Sequence, residues 1–352
     1  MIELGGSMVR FLVLFFWLIF PWSPLSAAPV ASLNSLEGEV SVVRAGVVIS
    51  SENLTDGFPL EAFDTVSTGN SGKADLRFSP STGLDGVVRL DSETSLYLDI
   101  TPGKREQTAG IELLTGAVSI RLSTVTGSWV EVRSEVGSFS GQGPRFRVVG
   151  TPGGDVLVLA EAGKVTCRVT DRIVSADSGS MVEAFSLYHS LRTQPLNVST
   201  LESTEAAWVA QRRQAFRAQS DQYFRVLGAR YQIQGGLFQR AWDRVQRQSK
   251  DGSVSPSATA NLRRAAFGLE RSLFRIKALA GLVDEGVLSG SIELNRGYTA
   301  HEFFLQAARD FPDFSAKVAQ ARSIYRVLTE ASGEFPRASE GLAITWDSDY
   351  FN

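Results

Sequence analysis

From about Val30 to Ser186, apolar and polar residues alternate over runs of four to seven positions. That is the period of a strand with one face buried. Val, Ile, Leu and Thr carry the runs, and Gly, Pro, Asn and Asp separate them. The pattern predicts strands over 39–44, 73–78, 87–90, 95–100, 111–114, 117–122, 129–132, 145–149, 155–160 and 164–169. No helix-period segment interrupts them, so a sandwich or β-roll is expected rather than a series of βαβ units.

Around Val198 the period changes. The run Ser199-Thr-Leu-Glu-Ser-Thr-Glu supplies hydroxyls able to cap the free N–H groups of a helix start. Val209, Phe216 and Tyr223 then recur seven apart, and Phe224, Tyr231, Phe238 and Val245 do so one position out of phase. A stripe that shifts in this way predicts a long helix in a bundle or hairpin, not a strict coiled coil. Gly235-Gly236 is the expected point of bending or breakage. Helical spacing makes core packing the plain reading for the aromatics of this helix; any left off the stripe, Trp208 or Trp242, could stack on a sugar or dock a partner helix. A loop over 251–257 leads to a second helix over 257–282, with Leu262, Phe267, Leu269, Leu273, Ile276 and Leu279 as its stripe. Further helices are expected over 299–310 and 314–331.

The first residues set the compartment. Phe11–Phe20 is an unbroken apolar run behind Arg10, ended by Pro21 and Pro24 and followed by Ser26-Ala27-Ala28. A basic start, a short apolar centre and small residues at the end describe a secretory signal peptide, cleaved after Ala27 or Ala28, with Pro29 disfavouring the second. A retained anchor is the alternative, although a full span needs about 20 apolar residues. The expected organisation is a signal peptide (1–28), a β-domain (30–190), a helical bundle (199–333) and a tail (334–352). The expected place is periplasmic or otherwise extracytoplasmic, with no stable membrane span after cleavage.

Charge divides at the same boundary. Residues 30–199 hold 14 basic and 20 acidic side chains, and residues 200–333 hold 19 basic and 13 acidic. The plain reading is that arginines solvate outer helix faces; the sharper one is that the helices contact the acidic β-domain or an anionic envelope polymer. The whole chain is nearly balanced, at −3, which gives no argument for nucleic acid.

Chemistry-bearing patterns are few. Cys167 is the single cysteine and sits in a strand-like segment, where a buried small apolar role is expected. His189 and His301 are far apart, and His301-Glu302 lacks the second histidine of a zinc motif. Gly141-Gln-Gly143 lacks the third glycine of a dinucleotide loop, and Pro152-Gly-Gly-Asp reads as a hairpin turn. No catalytic, cofactor-binding or metal residue is therefore assigned, no cofactor is implied, and no ligand-binding residue is singled out. A carboxylate-pair hydrolase leaves little local trace and stays open as a third-rank reading.

A family resemblance rests on several ordered segments. These are Leu36-Glu-Gly-Glu-Val-Ser-Val-Val-Arg-Ala-Gly46, the run from Phe63 through Thr68-Gly69 to Phe78, Val88-Arg-Leu-Asp-Ser-Glu-Thr-Ser-Leu-Tyr-Leu98 and Leu113-Leu-Thr-Gly-Ala-Val118. Arg145-Phe-Arg-Val-Val-Gly-Thr and Glu161-Ala-Gly-Lys-Val close the series. In this order the chain resembles a FecR domain over about 33–169. The resemblance implies an extracytoplasmic β-module that binds or senses. It carries no functional residue across, because in the closing segment Phe146 precedes Gly150-Thr151 instead of following it. The founding members bind a sigma factor through a cytoplasmic segment; at most ten residues precede the apolar run here, so that role is not expected. Gly38, Gly69, Gly116, Gly143 and Gly163 are expected to serve turns. The leading expectation is a non-enzymatic binding or scaffolding protein of the envelope that contacts a cell-wall glycan or a protein partner. The alternative is a signalling or regulatory component of a FecR-type pathway.

Overall fold

The computed structural model describes residues 29–44, 47–82, 84–100, 108–123, 129–141 and 145–250, and from 254 to 272 all but 256, 263, 267, 270 and 271. The expected signal peptide, His301, the helices over 299–310 and 314–331 and the tail from 334 lie outside the described residues, as do Gly143 and the side chain of Phe224.

The first half is all-β. In chain order its strands are β1 (Ala31–Glu37), β2 (Val40–Arg44), β3 (Val47–Ile49), β4 (Phe58–Leu60), β5 (Thr65–Thr68), β6 (Lys73–Phe78), β7 (Gly86–Leu90), β8 (Ser95–Asp99) and β9 (Thr108–Leu122). There follow β10 (Trp129–Arg133), β11 (Ser138–Gly141), β12 (Arg145–Gly150), β13 (Val156–Ala162), β14 (Lys164–Val169), β15 (Arg172–Asp177), β16 (Ser180–Phe185) and β17 (Ser190–Pro195). They pair in two sheets. Sheet I runs β4-β1-β6-β7-β9-β12-β13-β16-β17. Sheet II runs β3-β2-β5-β8-β9-β10-β11-β14-β15. Every pairing is antiparallel except β9 with β10.

β9 belongs to both sheets. Its first half pairs with β8 and β10, its second with β7 and β12. The inward positions change parity on the way: Ile111 and Leu113 point into the core before the crossing, Val118, Ile120 and Leu122 after it. Such an inversion needs one residue outside the extended region, and Gly116 supplies it with φ +88°. The sequence pattern predicts two strands, 111–114 and 117–122; they are one strand carried across the sandwich.

The inner faces of both sheets share one hydrophobic core. Phe139 and Phe146 are its largest fully buried side chains. A Cβ on Gly141 of sheet II would fall inside the Phe146 ring of sheet I, so the glycine is what lets that ring seat. Cys167 lies in this core and is fully buried. Burial pushes its thiol up to about 12, away from the reactive thiolate. The native protein is therefore expected to resist iodoacetamide in mildly alkaline buffer and to take up one equivalent in denaturant, read by intact mass. Prompt native labelling would mean that the core opens far more readily than this packing allows.

The helical half differs from expectation in three ways. First, the long helix breaks at Gln219, giving α1 (Leu201–Ala218) and α2 (Ser220–Lys250), while Gly235-Gly236 lies inside α2 without interrupting it. The phase change read from the sequence, between Tyr223 and Phe224, lies inside α2, four residues beyond the break. Each helix keeps its own face inward, and the Phe216 and Tyr223 rings meet across the joint at 5.3 Å. Second, the capping hydroxyls do not cap: Thr200, the residue before α1, makes no side-chain cap bond, and Asn197 accepts from the Ser199 N–H one turn earlier. Third, α1 has no separate core. Trp208 is buried against Ala117, Val149, Leu157 and Leu159 on the outer face of sheet I. Trp208 and Trp242 are both buried, as core packing of the helix aromatics requires, and neither is open to a sugar. Residues 257–272 contribute further helical residues, of which Ala258, Leu262, Ala266 and Leu269 are buried. No helix among the described residues is long and apolar enough to cross a membrane.

Candidate interaction surface

The charge complementarity read from the sequence is realised where α1 and α2 meet the β-domain. Arg147 on β12 projects from the outer face of sheet I, and its guanidinium grips Glu205 of α1 at 2.5 Å and 2.7 Å. It also pairs with Asp91 and donates to Ser119 Oγ at 2.7 Å. Burial alone would lower the Arg147 pKa, but the hydrogen bonds and charges of Glu205 and Asp91 outweigh it, and the group is held above its ordinary value.

A second contact centres on Asp155, which is 2% exposed in the β12–β13 turn. Its Oδ1 accepts from the Ser186 N–H at 2.8 Å and from the Ser186 hydroxyl at 3.0 Å. Its Oδ2 accepts from the Tyr223 hydroxyl of α2 at 2.9 Å and lies 3.8 Å from Arg212 of α1. Burial, followed by the Asp155 charge, raises the Tyr223 pKa, so the phenol remains a donor. Arg212 also stacks over the Phe185 ring at 5.0 Å. A third contact joins Arg230 of α2 to Glu135 before β11, with His189 Nε2 3.4 Å from the same guanidinium. Tyr188 donates to Gln219 at the helix break, at 3.2 Å.

Between α1 and sheet I an open groove of ≈ 860 Å3 remains, lined by Asp91, Ser119, Arg147, Glu161, Glu205 and Val209 among others. A smaller hollow of ≈ 310 Å3 lies on the outer face of sheet II beside Trp129. Among the described residues no group of three or more His, Cys, Asp or Glu could hold a metal.

The motif residues singled out in the sequence do structural work. Gly38, Gly116 and Gly163 adopt positive φ. Thr68 donates to the Asp91 carbonyl at 2.6 Å and accepts from the Thr94 N–H at 2.9 Å. Thr94 in turn bonds both the N–H and the carbonyl of Ala117. Asp64 takes a two-point bond from Arg44, which also bonds the Pro59 carbonyl. Burial raises the Asp64 pKa and Arg44 partly offsets this. His189 sits in the β16–β17 turn with φ +45°. The interface pairing itself was not legible: Arg147, Asp155 and Glu205 lie in a strand motif, a turn and a helix start read for other reasons, and only the opposite charge of the two halves announced a contact.

The family model described as "FecR protein" matches residues 64–166. No curated protein matches the chain. Two crystal structures of a candidate anti-sigma factor from Parabacteroides distasonis are similar at 13% identity and a TM-score of 0.33, covering 39% of this chain. This chain spans 62% of the length of those two. The matched residues run from Asp64, just before β5, into β14, and cover strands of both sheets together with the crossing at Gly116. The chain therefore carries a FecR domain at residues 64–166, set within a two-sheet β-domain that continues on both sides of it.

Proposed function

We infer that the chain is a regulatory component of the FecR type, acting on the extracytoplasmic side of a membrane. In this reading the β-domain meets a partner and the helices relay the change. One observation carries it. The β-side charges of all three described ion pairs to the helices, Arg147, Asp155 and Glu135, lie inside residues 64–166, and their partners Glu205, Arg212 and Arg230 lie outside. A partner that shifts these strands must change how α1 and α2 are held, and binding and helix docking are then coupled. The β-unit is taken to end at Pro195, where its last strand ends, five residues past the boundary expected from the sequence. The reading assigns no catalytic step. Export by the apolar run Phe11–Phe20 is part of the proposal. The scaffold reading, with a cell-wall glycan held between sheet and helices, is less favoured because the chief polar groups of that groove, Arg147 and Glu205, are engaged with each other.

The test is genetic. In the source organism, deletion of the coding sequence is expected to change a small, defined set of transcripts. Wild-type protein should restore the set. Glu205→Gln, which loosens the contact without removing Arg147, should restore it only in part at equal protein level. Transcripts that do not move on deletion would overturn the regulatory reading.

A further inference from the structure

The outer face of sheet I carries a charge asymmetry that runs against its domain. Residues 30–199 are acidic overall, yet on β6, β7, β12 and the second half of β9 the outward positions hold Lys73, Arg77, Arg89, Arg121, Arg145 and Arg147 against the single acid Asp75. Register places them side by side. Arg77 faces Val87, Val87 faces Arg121, and Arg121 faces Arg145. With strands about 4.8 Å apart, Arg77, Arg121 and Arg145 form a row across the sheet. Arg121 directly opposite Arg145 is a like-charge cross-strand pair, an arrangement that weakens a sheet. Arg147 is engaged by Glu205 and Asp91; beyond it, only loose contacts relieve the face, Arg145 to Glu161 at 3.8 Å and Arg89 to Asp75 at 3.9 Å. Among the described residues, Arg77 and Arg121 have no ion-pair partner, and both are exposed.

We propose that this row is a binding surface for a linear acidic polysaccharide. Guanidinium groups pair with carboxylate or sulfate in a two-point geometry, and Ser32 and Asn34 flank the row on β1 with hydroxyl and amide groups suited to sugar hydroxyls. The neighbours disfavour single-stranded nucleic acid, a protein partner and a flat lipid surface. Among the described residues Val87 is the sole apolar side chain facing out between the arginines and no aromatic ring accompanies it, so unpaired bases find nothing to stack on. A protein partner would find no apolar anchor there beyond Val87. A flat lipid surface is held off on one side, because α1 rises from the same face over β9, β12 and β13. The proposal stands apart from the regulatory reading and survives or fails without it.

The test uses the full chain and polyuronate (alginate) as the probe, with neutral dextran and phosphatidylglycerol vesicles as the other arms. Binding to alginate at low salt is expected, weakening as salt is raised, with none to dextran. The triple variant Arg77→Gln/Arg121→Gln/Arg145→Gln should lose affinity by about tenfold or more. A charge-matched control on α2, Arg225→Gln/Arg240→Gln/Arg244→Gln, should keep it. All six positions are exposed, and thermal unfolding of both variants checks that the fold persists. Should the row triple unfold, the single Arg121→Gln is read instead, with a smaller loss in the same direction. Absence of alginate binding by the wild type, equal loss in the control, or binding to vesicles in preference to alginate would each overturn the proposal.

Discussion

Gly116→Ala is expected to destabilise the chain by about 3 kcal/mol or more. Two costs combine. At φ +88° an L-residue is strained by about 1–2 kcal/mol. The new Cβ would also meet the Thr94 Cα and lie 2.6 Å from the Glu93 carbonyl oxygen, which are backbone atoms with little room to move. Thr94 cannot yield, because its hydroxyl is tied to Ala117 by bonds of 3.0 Å and 3.1 Å and its N–H to Thr68 at 2.9 Å. Gly57→Ala separates the two costs, since Gly57 has φ +83° but nothing within 4 Å of the place its methyl would take; it should cost about 1 kcal/mol from strain alone. Urea unfolding at constant m-value reads both. A Gly116→Ala variant within about 0.5 kcal/mol of Gly57→Ala would mean that the strand crossing is not held rigidly by the Thr94 turn.

The same residues explain how far the sequence could be read. Central strands such as β6 and β14 were legible to the residue, because one face is fully buried and the other wet, and alternation follows directly. Edge strands were not. β15 and β17 bury few of their residues, so selection leaves no alternating trace in Arg172–Asp177 or Ser190–Pro195. β4 holds Pro59, a residue that argues against a strand anywhere but at an edge, and β4 is an edge of sheet I. β11 has one apolar anchor, Phe139, too little for periodicity to register. The phase shift of the stripe, at Tyr223 and Phe224, falls four residues beyond the break at Gln219, and Gly235-Gly236 carried the stronger local signal and misled. A glycine pair costs a helix only about 1 kcal/mol per residue, less than packing along α2 supplies through Tyr231, Phe238 and Trp242. The site was legible only in bulk. Opposite net charges of the two halves foretold a contact, yet the direction of its best-defined pair is reversed: the arginine is on the acidic domain and the carboxylate on the basic helices.

That reversed pair supports the second large prediction. Arg147→Ala should cost about 3 kcal/mol, because removing one partner of a buried ion pair leaves the other without compensation. The side chains of Arg147 and Glu205 are only 15% and 17% exposed, so solvent does little to relieve the loss. Asp91, at 25%, is better hydrated and contributes less. The cost should fall on helix docking before it falls on the sandwich, since the core between the sheets contains no residue of α1. Trp208 reports on this directly: it is 5% exposed beneath α1, and the emission difference between each protein and its Trp208→Phe derivative isolates it from the other five tryptophans. In Arg147→Ala that signal should shift to the red at denaturant concentrations where the sandwich is still folded by far-UV dichroism. In the wild type the two transitions should lie closer together. A double-mutant cycle with Glu205→Gln gives the pairwise part, expected at about 1.5–3 kcal/mol for two charge-assisted bonds. The coupling should change little with added salt, as fits a pair shielded from ions. A cycle energy near zero, or a Trp208 signal that follows global unfolding in every variant, would mean that the matched β-region does not control the helices through Arg147, and the relay reading would lose its structural basis.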